Sequence, residues 1–134
     1  MKIDGQCHCG LISYQAEIDP QNVSICHCTD CQQLTGSAYR VTVSCRLTDF
    51  ELTGAAPNIY VKHGDNGRRR YQMFCPNCGS PVYTTGAGED AAEIGIRVGT
   101  VNQRRALSPK RQKWCMSALP WSASIEDLPG RPAE

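Results

Sequence analysis

Three cysteines stand close together in "CHCTDC", at Cys26, Cys28 and Cys31. Two more pairs lie far from them and from each other: Cys7 and Cys9 in "CHCG", and Cys75 and Cys78 in "CPNCG". Thiolates two or three positions apart can grip a single soft metal ion, and zinc is the usual occupant of all-thiolate sites. Side chains alternate along a strand. In extended segments Cys7 and Cys9 are therefore predicted to share a face, with His8 opposite, and Cys26 and Cys28 likewise, with His27 opposite. "CPNCG" is predicted to be a knuckle: Pro76 shapes the turn and Gly79 allows tight backbone with its amides aimed at sulfur. Two chelating pairs from distant segments make a closed tetrahedral site. Spacing alone allows 7/9 or 26/28 to join 75/78.

If 7/9 takes 75/78, Cys26, Cys28 and Cys31 remain. A structural zinc is closed by four protein ligands, whereas a catalytic one keeps a position open. Three thiols thus describe an open site, unless a fourth ligand comes from Cys45, Cys115, His63 or His27. His27 is the least suited, because it faces away if the segment is extended. Three thiolates make zinc a poor Lewis acid for water but a good partner for a further thiolate, so the predicted chemistry concerns a thiol substrate. His27, Thr29 and Asp30 are candidates for the mouth of such a site, with no acid or base assigned among them. Arg68–Arg70 offer guanidinium forks for carboxylates, or else form a solvated hairpin.

The elements that must position these residues belong to a chain of 134 residues, which fits a single domain, 1–134. Twelve glycines and eight prolines argue for many turns, and nine cysteines argue for a fold held by more than its apolar core. The odd cysteine count, the close pairs and an N-terminus without an apolar run favour metal over disulfides and a reducing, cytoplasmic setting. No stretch approaches membrane-spanning length. Basic residues cluster at Arg68–Arg70, Arg104, Arg105 and Lys110–Lys113, but the net charge is +1 and no aromatics are interleaved. This disfavours a nucleic-acid face.

The periodicity predicts a mainly β fold of short strands. "LISYQAEI", "NVSIC", "SAYRVTVSC", "FEL", "NIYVKH", "RRRYQMFC", "SPVYTT", "AAEIGIRVGTV" and "KRQKWCM" are the candidates. Tyr39, Val41 and Val43 are expected on one face, and Ile94, Ile96 and Val98 are expected opposite Gly95, Arg97 and Gly99. The turn "GDNG" predicts a hairpin between "NIYVKH" and "RRRYQMFC". Helix is confined to a short turn after Cys28, and residues 122–134 are expected to form an extended, loosely packed tail.

Taken in order, "GQCHCGLISY", "CHCTDCQQLTGSAY", "FCPNCGSPVY", "VGTV" and "PW" resemble the glutathione-dependent formaldehyde-activating enzyme family, which includes centromere protein V. The resemblance covers nearly the whole chain. It implies an Mss4-like β-tent of small antiparallel sheets stapled by zinc. It also implies two zinc ions: a structural one on Cys7, Cys9, Cys75 and Cys78, and a catalytic one on Cys26, Cys28 and Cys31. The implied activity is that of a carbon–sulfur lyase, joining glutathione and formaldehyde as S-hydroxymethylglutathione. The alternatives are a non-catalytic glutathione carrier and a protein- or nucleic-acid-binding module. Gln32 stands where the family often has Arg, and "GTVNQ" replaces "GTLDD", so that Asn102 replaces an acid.

Overall fold

The alternation read in "RVTVSC" organises the molecule. A computed structural model of the protein describes residues 1–134. It contains strands β1 (Lys2–Gln6), β2 (Ser13–Glu17), β3 (Val23–Cys26), β4 (Arg40–Arg46), β5 (Phe50–Leu52), β6 (Asn58–His63), β7 (Arg69–Phe74), β8 (Pro81–Gly86), β9 (Glu93–Arg97) and β10 (Arg111–Lys113), with one helix, α1 (Thr29–Thr35). The fold is mainly β, as predicted. One sheet is β1-β2-β5; the other, of seven strands, is ordered β10-β3-β4-β9-β8-β7-β6. Every pairing is antiparallel except that of β10 with β3.

Register sorts the larger sheet into two chemically different faces. Val23, Val43, Ile96, Tyr83 and Met73 lie in one row across β3, β4, β9, β8 and β7. This apolar face meets the small sheet, where Ile3, Tyr14 and Ala16 are buried. Phe50 bridges the layers, with its ring 5.5 Å from Tyr14 and 4.7 Å from Tyr83. The sheets are also tied at an edge: Gly5 bridges Val101, and the Tyr14 hydroxyl is 2.8 Å from Thr100 Oγ1. Side chains two positions apart share a face, so the opposite face carries Cys26, Ser24, Arg40, Thr42, Arg97, Thr84, Gln72, Arg70 and Lys62. That face is polar, yet Ser24, Thr84, Gln72 and Arg97 on it are buried.

The predicted hairpin is present, with His63 opposite Arg69. Other boundaries differ. β4 begins at Arg40, three residues later than expected, because Gly36 ends α1 in the left-handed region and the chain then needs Ser37–Tyr39 to reach the sheet. β9 stops at Arg97, where Val98–Thr100 form a 3-10 turn. Within β9 the expected alternation holds, with Ile94 and Ile96 opposite Gly95 and Arg97, although all four are buried. Within the C-terminal segment Ile125–Asp127 form a 3-10 turn, where an extended run was expected. No helix is long and apolar enough to cross a membrane.

Candidate metal centres

Cys7, Cys9, Cys75 and Cys78 converge, their sulfurs all within 4.8 Å of one another. Cys7 Sγ is 3.6 Å from Cys9 Sγ, which is 3.7 Å from Cys75 Sγ. Zinc–sulfur bonds of about 2.3 Å in a tetrahedron put sulfurs about 3.8 Å apart, so the spacing suits such an ion. The local folding differs from the extended segment read for Cys7 and Cys9. β1 ends at Gln6, and Cys7–Gly10 is a turn closed by Gly10 N–H donating to Cys7 O at 3.1 Å. The second knuckle is built alike, with Gly79 N–H donating to Cys75 O at 2.9 Å. Gly10 and Gly79 both have φ near +80° (82° and 78°), which glycine adopts without strain. A turn aims amides at sulfur as a strand cannot: Ile12 N–H reaches Cys7 at 3.3 Å, and Asn77 and Cys78 N–H reach Cys75 at 3.4 Å. The Ser80 hydroxyl, 3.2 Å away, and the Ser80 amide hold the Cys78 thiol down, to about 5. Asn77 and the Leu11 amide lower that of Cys9. Deprotonated thiols are what a metal requires.

Cys26, Cys28 and Cys31 form the second convergent group. Cys26 ends β3, Cys28 is the N-cap of α1, and Cys31 lies in its first turn. Cys28 Sγ accepts from the Cys31 amide at 3.3 Å and lies 3.0 Å from Cys31 Sγ. Cys28 keeps the extended backbone expected of it (φ −60°, ψ 153°) while capping α1, so Cys26 and Cys28 meet with His27 turned away. Burial opposes ionisation of Cys28, but the Cys31 thiol and amide, Cys26 and Lys62 outweigh it and lower its pKa. Burial raises that of Cys31. All nine cysteines are free.

None of the proposed fourth donors joins this group. His27 is buried and turned away: its Nε2 is 2.7 Å from Gln112 Oε1 and its ring packs edge-on against Tyr39. Cys45 lies on β4 facing Ile94, on the apolar face. Cys115 is exposed in a 3-10 turn, and His63 is exposed at the end of β6. Gln32 braces the group from behind, its Nε2 donating to His27 O at 2.8 Å and Ser117 O at 2.9 Å. Asn102 and Gln103 clamp the Asp4 carboxylate at 3.0 and 2.6 Å, where an acid at 102 would meet like charge.

Cys28 opens onto a cleft of about 520 Å³. Thr29 and Asp30 line it as expected, whereas His27 does not. Lys62, Arg68, Arg70 and Trp114 also line it. The "GRRRY" run is thus split by strand alternation: Arg68 and Arg70 face the cleft, while Arg69 does not line it. Lys62 pairs with Asp30 at 2.9 Å and Arg68 with Asp90 at 3.4 Å. Sequence reasoning missed Lys62 and Trp114. The pairing of Lys62 with Arg70 across the predicted hairpin could have found the first. Trp114 sits in the left-handed region at φ 57°, ψ 42°, which nothing in its neighbours announces.

No curated protein matches the chain. A crystal structure of a Rhodobacter sphaeroides protein shares the fold, with a TM-score of 0.61 and 21% identity, over 82% of this chain and 99% of that one. The sequence model of the family described as "Glutathione-dependent formaldehyde-activating enzyme" matches residues 2–117. That match takes in both knuckles, the three-cysteine cluster and every strand of the two sheets, and the chain belongs to this family.

Proposed function

We propose that the protein is a zinc-dependent enzyme of carbon–sulfur lyase type. It adds the thiol of glutathione to formaldehyde, giving S-hydroxymethylglutathione, and catalyses the reverse. The observation that carries this reading is the three-thiol group with no fourth protein donor, opening at Cys28 onto a cleft. Cys26, Cys28 and Cys31 would hold the catalytic ion, and Cys7, Cys9, Cys75 and Cys78 a structural one. Zinc, when bound, supplies a soft cation that favours a substrate thiol as its thiolate. In the reaction a carbon–sulfur bond forms, the carbonyl π bond breaks, and the thiol proton ends on the new hydroxyl. Thr29 and Asp30, next to Cys28 in the cleft lining, would pass that proton, and Lys62 pairs with Asp30 at 2.9 Å. The setting proposed is the cytoplasm, where thiols stay reduced. Residues 1–134 act as one domain with 122–134 as its tail.

The test follows exchange between formaldehyde and S-hydroxymethylglutathione by NMR in the presence of zinc-loaded protein. Exchange faster than the spontaneous rate, lost in Cys28→Ser, is expected. A rate equal to the spontaneous one contradicts the proposal.

A further inference from the structure

Three guanidiniums on the polar face of the large sheet have no carboxylate to meet. The ion pairs of the chain engage the N-terminal amine, Arg46, Lys62 and Arg68. Arg40, Arg70 and Arg97 are in none of them, although none of the three is exposed. Arg97 is only 7% exposed. Its Nη1 donates to Thr42 Oγ1 at 3.2 Å and its Nη2 to Gln72 Oε1 at 3.1 Å. Arg40 Nη2 donates to the same Gln72 oxygen at 3.4 Å. The Nε atoms of both Arg40 and Arg97 are buried without any partner. Burial, then the neighbouring Arg40, push the Arg97 guanidinium down to about 9, still charged at neutral pH.

Buried cations are costly unless an anion answers them. The cysteine cluster supplies part of the answer, because Cys26 lies directly across from Arg40 on β3 and β4. Three thiolates around a divalent ion leave a net charge of about −1, which is less than three guanidiniums require. Arg70 brings the remaining positive charge to the cleft, where the exposed Asp65 is the one lining carboxylate outside an ion pair. Arg70 lines the cleft with Cys28 and stands two positions from Gln72 on the same face of β7.

We propose that Arg40, Arg70 and Arg97 form an anion-recognition face, in which Arg70 takes a carboxylate of the thiol substrate while Arg40 and Arg97 set the positive potential behind it. The enzyme is then selective for thiols that carry carboxylate groups, over neutral or cationic thiols of similar size. The inference rests on the thiol reading of the three-cysteine site. A guanidinium fork matches a carboxylate in geometry as well as charge, which a lysine would not.

The experiment is isothermal titration of the zinc-loaded full chain with glutathione, glutathione diethyl ester and cysteamine, for the wild type and Arg70→Gln. The wild type is expected to bind glutathione at least about tenfold more tightly than the ester, in line with one charge-assisted hydrogen-bonded pair. Cysteamine should bind more weakly still. Arg70→Gln should bring glutathione within about twofold of the ester and leave the ester's affinity unchanged. Equal wild-type affinities for glutathione and ester overturn the anion-recognition face alone. So does an Arg70→Gln loss that is the same for both ligands, which would mean that Arg70 acts only on the charge of the metal centre. If no thiol binds, the thiol reading of the site falls and this inference falls with it. Should Arg70→Gln not fold, the wild-type comparison still decides.

Discussion

The Sγ of Cys28 accepts the Cys31 amide at 3.3 Å, so one candidate metal ligand also caps the helix that carries another. Serine is a good N-cap. Cys28→Ser should therefore keep the start of α1 while removing a thiolate. The variant is expected to fold with a melting temperature within a few degrees of wild type, to lose one zinc per chain and to lose thiol-dependent activity. Circular dichroism, metal analysis and the exchange assay check the three outcomes. An unfolded Cys28→Ser would make the cluster a structural staple instead.

Cys78→Ser should behave differently. Its group joins the turn after β1 to the turn between β7 and β8, so it holds together segments that are remote in sequence. Structural zinc contributes on the order of 10 kcal/mol of folding free energy, against a net domain stability of about 5–15 kcal/mol. The expected result is insoluble or unfolded protein. A native, soluble Cys78→Ser that has lost one zinc would reverse the two labels.

Much of this was legible in the sequence because two periods are strong in it. Alternation gave the β class and the β6–β7 hairpin; cysteine spacing gave the chelating pairs and the run of three, but which pair joins Cys75 and Cys78 came from the family resemblance. What stayed hidden depends on the third dimension. The turn at Cys7–Gly10 looked like strand because a one-residue gap between cysteines fits either geometry, and that Cys28 also caps a helix was not visible in its spacing. Arg97 was expected on the face opposite Ile96, and it lies there, but its burial was not foreseen. Nothing local shows that both faces of β9 are covered, or that Gln72, remote in sequence, will bond it. The placing of Arg68 and Arg70 beside Cys28 needed the hairpin to fold back over α1.

Cys45 and Cys115 should be dispensable for metal, and changing both to alanine should leave zinc content intact. They should differ in reactivity, because Cys115 is exposed while burial, then Asp49 and Glu93, push Cys45 up to about 11. An alkylating agent at pH 8 is expected to label Cys115 first, as mass spectrometry of the zinc-loaded protein would show.

The raised Cys45 pKa also has a consequence for stability. The folded state favours the neutral thiol, so its contribution is complete below the unfolded thiol pKa of about 8.5 and is lost as pH rises through about 11. Melting temperature should fall more steeply between pH 8 and pH 11 in wild type than in Cys45→Ala. Parallel slopes would contradict this assignment.

Trp114 lines the cleft with Cys28, whereas Trp121 does not. Its indole should report occupancy of the site. Saturating glutathione is expected to change the emission of the wild type, and the change should vanish in Trp114→Phe and persist in Trp121→Phe. Emission that responds only through Trp121 would place the thiol elsewhere.

The claim that matters most is that the Cys26, Cys28 and Cys31 site lacks a fourth protein ligand and takes a thiol there. Zinc X-ray absorption on the reduced, fully loaded protein measures this directly. Four thiols in one group and three in the other predict about 3.5 sulfur neighbours per zinc at about 2.3 Å, with the balance made up by lighter atoms. Saturating glutathione should raise the average to about four. A value already near four without glutathione, or one that glutathione leaves unchanged, would contradict the account.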